Sequence, residues 1–563
     1  MISHDLLQIG LFLGLLTALT PPLGGYMAKV YEGKSVFLSF TFRPLERFLC
    51  HLIGGDPEKE MNWKAYLGAL LWFNALGFCL LFLILLCQGC LPLNPQNFAG
   101  LSVPLAFNTA VSFMTNTNWQ AYSGESALSY FSQMVGLTTQ NFASAATGMC
   151  VLVALIRGLG NKSVQTLGNF WVDLIRGTLY ILLPLSVILA VILASQGVIQ
   201  NFSPYIHATT IEGAQQILPM GPAASQIAIK QIGTNGGGFF GVNSAHPFEN
   251  PTPLSNFLEL LSILLIPAAL TFTYGKMVRD VRQGWVLFAA MFILLVGFFA
   301  VAWWAEAQPN VVLPMSQNME GKETRFGVMN STLWAISTTA ASNGSVNAMH
   351  DSLSPIAGGL AMLNIMLGEI VFGGVGAGLY GMLKYVLLTV FLAGLIVGRT
   401  PEYLGKKIEA REVRWAVAAI LVPSALILIG SAIACILPAG LSSLANNGPH
   451  GLSEILYAFA SASGNNGSAF AGLSADTSFY NYALGFCMLV GRFIVIVPAL
   501  AIAGSMGVKK TSPPGPGTFP TTGVTFVVLL VSVILILGAL TFFPSLTLGP
   551  IIEHYLMLQG RTF

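Results

Sequence analysis

Charge is what this sequence has least of. Only 9% of its 563 residues are Asp, Glu, Lys or Arg, while 54% are hydrophobic. A soluble domain carries about a quarter of its residues charged, so an ordinary soluble protein is excluded and no nucleic-acid partner is expected. Cysteine is also scarce. The seven present lie mostly inside apolar runs, where a thiol behaves as a small hydrophobe. Cys87 and Cys90, near the outer end of the second apolar stretch, have the spacing of a possible disulfide but are expected to remain two free thiols. No zinc-type spacing of cysteine with histidine occurs, so neither a metal cluster nor a covalent cofactor is expected. An Asp-Lys-Thr-Gly phosphorylation motif and a complete phosphate-binding glycine loop are missing as well. Any ATP energy must therefore come from a partner chain.

What the sequence has instead is apolar length. Stretches of about 20 apolar residues mark membrane-spanning helices, and ten are predicted, near 6–26, 65–88, 133–156, 177–198, 255–275, 284–304, 357–397, 414–437, 479–504 and 522–543. The first lacks a basic leader and a clear cleavage site, and is expected to be a retained membrane helix. Membrane lipid is its expected surrounding. Nineteen of the 25 basic residues fall in five alternate connections, such as Lys29 to Lys64, Arg157 to Arg176 and Arg399 to Arg414. The positive-inside rule makes those connections cytoplasmic and puts both termini outside.

Four short segments read almost alike: Asn116-Thr117-Asn118, Thr234-Asn235-Gly236, Ser342-Asn343-Gly344 and Asn465-Asn466-Gly467. Their third positions are 118, 108 and 123 residues apart. Each follows a short apolar run (104–114, 222–233, 330–341, 451–462) lying between two spans. Four copies of helix, short helix, polar loop and helix are the plan of a cation-selective pore, in which backbone carbonyls replace an ion's hydration shell. The expected fold is all-α and integral to the membrane. One helix with its cytoplasmic loop (1–64) precedes repeats at 65–176, 177–283, 284–413 and 414–510, and a last helix follows (511–563). Gly236, Gly344 and Gly467 are expected to hold backbone angles that a side chain would disturb, with the ring distorted at Asn118. The segment 199–253 is expected to cap the mouth, and the stretch Ser512 to Gly517 to be a cytoplasmic connector.

The third repeat departs from the others. Its stretch from Ile356 to Val397 is about twice the length of one span and contains Gly373, Gly374, Gly376 and Gly378. Such interruptions often mark pathways, and a gate or hinge below the pore loops is expected. Glu369 and Arg492 are intramembrane charges, each 25 residues after its loop glycine, and so expected at matched depth in neighbouring helices. An ion pair between them would either glue two helices together or line a pathway. Lys384 is expected to snorkel to the cytoplasmic edge, and Glu259 to face the outer interface.

The runs Thr115-Asn116-Thr117-Asn118-Trp119-Gln120, Gly233 to Phe240, Asn243 to Pro251, Thr338 to Ser345 and Ser463 to Ser468 resemble the KdpA family. Its members are the potassium-binding subunits of bacterial Kdp potassium-transporting ATPases. The resemblance extends from Pro21-Pro22-Leu23-Gly24 to Lys509-Lys510. It implies potassium as substrate and a P-type ATPase subunit as the partner that hydrolyses ATP. It also implies a single-pass accessory subunit and a small membrane peptide. By the same resemblance Gln120 tunes the filter, Glu369 and Arg492 lie near a tunnel towards the ATPase subunit, and Gly373–Gly378 blocks the direct exit. A stand-alone channel or cation symporter is the alternative for the same pore. A secondary transporter gripping a small molecule would need two inverted halves, against four repeats of one direction.

Overall fold

The computed structural model describes all residues except 1, 54–58, 310, 311, 313, 314, 514, 516, 517, 562 and 563. Pro514, Pro516 and Gly517 of the expected connector thus lie outside the described residues. Among the described residues, ten helices are long and apolar enough to cross a membrane. Polar caps set several of their starts. Asn62 accepts from the amides of Lys64 and Ala65 at 3.0 Å, opening Trp63–Cys87. Thr252 caps Pro253–Met277, and Pro253 suits the first helical turn because its missing N–H is not needed there.

Burial sorts the spans into two shells. The windows of Ser132–Gly160, Pro253–Met277, Ala377–Val397 and Ser478–Gly507, which follow the polar loops, are 61–83% buried. Those that precede the loops (Trp63–Cys90, Phe170–Ser195, Val281–Glu306, Ala410–Ile436) are 28–50% buried. Hydrophobicity cannot drive this sorting, because lipid is as apolar as leucine. Small residues that permit close approach do. Gly158, for instance, lies so near Ala503 that an added Cβ would sit 2.4 Å from its carbonyl oxygen. That contact joins the second helix of the first repeat to that of the fourth. The N-terminal helix packs on Pro253–Met277, and the last span on Val281–Glu306.

Between each outer and inner helix lies a shorter one: Val103–Met114, Ala223–Ile232, Gly327–Ala340 and Gly448–Gly464. The four-repeat, ten-span architecture expected from the sequence is thus the one observed. On the expected cytoplasmic side Lys406 is buried. Its ammonium donates to the carbonyls of Gly158 and Met506 at 2.8 Å, satisfying orphan acceptors where two inner helices end.

Three expectations are corrected here. The third inner helix is two pieces, Pro355–Met366 and Ala377–Val397. Its break is longer than the glycine cluster and starts earlier, because Gly368, Glu369, Phe372, Gly373 and Gly376 all have φ between +50° and +86°. Gly378 lies inside the resumed helix. Glu369 therefore sits in the break, not in a helix matched to that of Arg492. Finally, the segment 199–253 is not all cap. Its hairpin (Ile206–Thr209 with Gln215–Leu218) is largely exposed, whereas Ser244, Glu249 and Asn250 are fully buried.

Candidate functional site: a ring of four loops above a broken helix

The four polar loops meet at one place. A Cβ on Gly236 would lie 1.9 Å from the Gly344 nitrogen, one on Gly344 2.8 Å from the Gly467 carbonyl carbon, and one on Gly467 2.0 Å from the Thr117 oxygen. Gly237 closes the circle against the Asn118 side chain. Each loop thus abuts the next in the order two, three, four, one.

Equivalent positions share one backbone pattern. The first residue of each loop is left-handed: Asn116 (φ +64°), Thr234 (+49°), Ser342 (+52°) and Asn465 (+65°). The amide of each second residue turns back five residues to its own short helix. Thr117 donates to Ser112 (2.9 Å), Asn235 to Lys230 (2.8 Å), Asn343 to Thr338 (3.1 Å) and Asn466 to Ser461 (2.9 Å). These four donors are consumed away from the ring, and acceptors remain. Among the described residues, no hydrogen bond reaches the carbonyl oxygens of Thr117, Asn118, Asn235, Gly344, Asn466 or Gly467. Those of Asn343 and Gly236 each accept one, from Thr338 Oγ1 and Asn243 Nδ2. Buried carbonyls without a donor are uncommon, and a cluster of them suits a cation.

At the third position Gly236 and Gly467 hold φ of +85° and +99°. Asn118 holds +54°, so asparagine takes a similar left-handed turn and the backbone is not distorted there as expected. Gly344 is not left-handed; close approach to Gly467, not its angle, is what excludes a side chain.

Side chains bolt the loops together. Asn235 donates to Asn116 Oδ1 (2.5 Å), Asn343 to Lys230 O (3.2 Å), Asn466 to Thr338 O (3.1 Å) and Asn465 to Thr117 Oγ1 (3.0 Å). Ser342 donates to Asn465 O at 2.9 Å. Gln120 exchanges two hydrogen bonds with Gly238, through its own Oε1 (2.9 Å) and Nε2 (3.2 Å). It braces the second loop.

A network behind the ring escaped sequence reasoning. Lys230 pairs with Glu249 and donates to Asn243 Oδ1 at 2.6 Å. Gln231 donates to Glu259 at 3.0 Å, and Ser345 Oγ donates to Gln231 at 3.1 Å. Glu259 is completely buried and does not face an outer interface. The polar run Asn243 to Pro251 was visible in the sequence, but nothing there ties it to Lys230 or Gln231.

Beneath the ring runs the break. Val375 N donates to Thr234 Oγ1 (2.9 Å), Gly373 N to Ala340 O (3.1 Å), and a Cβ on Gly374 would touch Ser342 at 3.1 Å. On the far side Gly376 meets the backbone of Gly148 in the first repeat's inner helix. Beside this bridge a cavity of about 100 Å³ is lined by Ser342, Glu369, Lys384, Asn465 and Arg492, together with Leu537 and Phe542 of the last span. One water needs about 10–15 Å³, so the space holds several. Glu369 and Arg492 do not form the expected ion pair. Glu369 Oε1 has no hydrogen-bond partner, and Arg492 puts a guanidinium nitrogen beside Gly148, 3.3 Å from where a Cβ would stand. Lys384 does not snorkel: it is buried and donates to Ala419 O at 3.4 Å. All seven cysteines are free, including Cys87 and Cys90.

Known proteins resemble this chain in fold and in sequence. The solved potassium transporter TrkH from Vibrio parahaemolyticus superposes with a TM-score of 0.52, covering 88% of this chain and 96% of its own at 16% identity; the likeness is one of fold. Closer in sequence are two proteins named potassium-transporting ATPase potassium-binding subunit. The one from Pseudomonas aeruginosa is 61% identical over 557 residues, covering 98% of this chain and 99% of its own. The one from Rhodospirillum centenum is 58% identical over 569 residues, covering 100% and 99%. The family model described as KdpA, potassium-transporting ATPase A subunit, matches residues 10–555, and the chain belongs to that family.

Proposed function

We propose that this chain binds external potassium in the ring of four loops and delivers it sideways, through the cavity under the ring, to a partner P-type ATPase subunit that supplies the energy of ATP hydrolysis. The observation that carries this reading is the set of donor-free carbonyls in a ring whose second-position amides all turn back to their own short helices. Such a ring is a set of oxygen ligands held apart by the surrounding side chains, able to replace a hydration shell. Its residues are Asn116, Thr117 and Asn118; Thr234, Asn235 and Gly236; Ser342, Asn343 and Gly344; and Asn465, Asn466 and Gly467. Gln120 positions the second loop. The carboxyl ends of the four short helices place partial negative charge below them.

The broken helix supports delivery to a partner over free conduction. Gly373, Gly374 and Gly376 carry backbone straight beneath the ring, where a channel would be open. The cavity with Glu369, Lys384 and Arg492 lies to the side. A cation leaving the ring meets Arg492, which repels it, and Glu369, which attracts it; opposite charges at a fork set direction. Repeats divided at residues 65, 177, 284 and 414, periplasmic termini and an inner-membrane location fit this reading. So does a complex completed by a single-pass subunit and a small membrane peptide.

The test is ATP hydrolysis against potassium concentration on the purified complex, with assembly checked by size exclusion. Co-purification of a P-type ATPase subunit with potassium-stimulated hydrolysis is expected. Potassium flux through this chain alone in liposomes would favour the stand-alone channel and overturn the proposal.

A further inference from the structure

One cluster of ligating side chains lies outside the ring and its cavity. Asp351 is in the short turn His350–Ser352 that follows the third polar loop. His450 and Glu454 are four residues apart on Gly448–Gly464, hence on one face of that helix. Glu553 comes from the last span. Nearly a hundred residues separate Asp351 from His450, which is why no local spacing in the sequence announces the group. One ligand atom from each of Asp351, His450 and Glu454 lies within 4.8 Å of the others.

Three features separate this group from a casual acidic patch. Glu454 is completely buried; one of its oxygens accepts from Asn446 Nδ2 at 2.7 Å, and Oε2 has no partner. A buried carboxylate oxygen without a donor is costly unless a cation faces it. His450 Nδ1 lies 2.7 Å from Glu553 Oε1 and its Nε2 3.3 Å from Asp351 Oδ1. With the proton on Nδ1, Glu553 orients the ring and frees the Nε2 lone pair, the arrangement that metal-ligating histidines recurrently use. Phe470 stacks on the imidazole at 5.8 Å and 12°, which fixes the ring plane.

We propose that Asp351, His450 and Glu454 bind a divalent transition-metal cation of the zinc type, with Glu553 as the residue that positions His450. Bonds of about 2.0–2.1 Å in a tetrahedron place donors about 3.3 Å apart. The Asp351–His450 separation already matches, and a Glu454 oxygen lies within 4.8 Å of both ligand atoms. The ion pairs to Asp351 and Glu553 favour a proton on His450, which metal binding displaces; the two carboxylates and the neutral imidazole then balance a charge of two. The imidazole favours zinc and its neighbours over magnesium or calcium, which take oxygen ligands. An adjoining cavity of about 580 Å³, lined also by Asn318 and Glu320, has room for a water as fourth ligand. A metal here would tie the last span to the fourth short helix and to the turn after the third loop.

The test uses the complex as isolated, stripped with chelator, dialysed and titrated with Zn²⁺. Bound metal per chain is measured by mass spectrometry and affinity by competition with a chelating dye. One zinc more per complex is expected in wild type than in Glu454→Gln, so metal held by partner chains cancels. Glu553→Gln, which leaves all three ligands, is expected to weaken binding by roughly 10–100-fold. Glu320→Gln should leave it unchanged. Equal zinc content and affinity in wild type and Glu454→Gln would overturn the proposal. If Glu454→Gln does not assemble, unaltered affinity in Glu553→Gln overturns it instead.

Discussion

Replacing Gly236 by alanine tests the ring most directly. Its φ of +85° is a region that costs an L-residue about 1–2 kcal/mol. The new Cβ would also sit 1.9 Å from the nitrogen and 2.5 Å from the Cα of Gly344. Both are backbone atoms that cannot swing aside, and overpacking of this kind costs about 1–3 kcal/mol. The two together come to about 2–5 kcal/mol, relieved only by opening the ring between loops two and three. With 1.4 kcal/mol per factor of ten, even the lower end raises the half-saturating potassium concentration by about 30-fold. Gly467→Ala should behave similarly, since its φ is +99° and its Cβ would lie 2.0 Å from the Thr117 oxygen. Gly344→Ala should be milder. Its angle costs nothing and its nearest contact is 2.8 Å, so about 1 kcal/mol of crowding corresponds to about fivefold. The assay is potassium-stimulated ATP hydrolysis on purified complex, with rubidium and sodium as competitors. Gly344→Ala as damaging as Gly236→Ala, or unchanged affinity in both, would refute the reasoning.

Glu369→Gln and Arg492→Gln should each leave the complex assembled while impairing potassium-dependent hydrolysis; disassembly on size exclusion would instead mark them as helix glue. Deleting Gly373 to Gly376 should let potassium leak through liposomes without ATP, and a tight, ATP-dependent phenotype would count against a barrier. Lys230→Met strands the fully buried Glu249 carboxylate and should cost about 3–5 kcal/mol, seen as a lower unfolding temperature of the complex. Lys230→Met combined with Glu249→Gln should recover part of that loss, and no recovery would show that the pair is not coupled.

The periodic and compositional features of this chain carry its architecture. Ten spans follow from apolar length, since a bilayer leaves backbone polar groups no partner except within a helix. The four short helices and their loops follow from repetition of Asn, Gly and Ser at like spacing. The break follows from glycines inside an overlong span. Each of these is set within about twenty residues of chain, so a linear reading finds it.

What tertiary structure alone decided are meetings between distant residues. Counting along a helix puts Glu369 at the depth of Arg492, but the chain already turns at Gly368, so neither the matched depth nor the pairing holds. Lys384 and Glu259 look like interface charges in isolation; both are buried, Lys384 against Ala419 of the next repeat and Glu259 against Gln231 and Ser244 of its own. Lys230 meets Glu249 only when the second repeat folds back on itself, and Asp351 meets His450 and Glu454 only after the third and fourth repeats close on one another. Hydrophobic patterning says which faces avoid water, not which faces meet, and in a membrane both shells of helices are apolar. Close approach through Gly148, Gly158 and Gly376 decided that order, and it is a property of packed surfaces that no single segment of sequence contains.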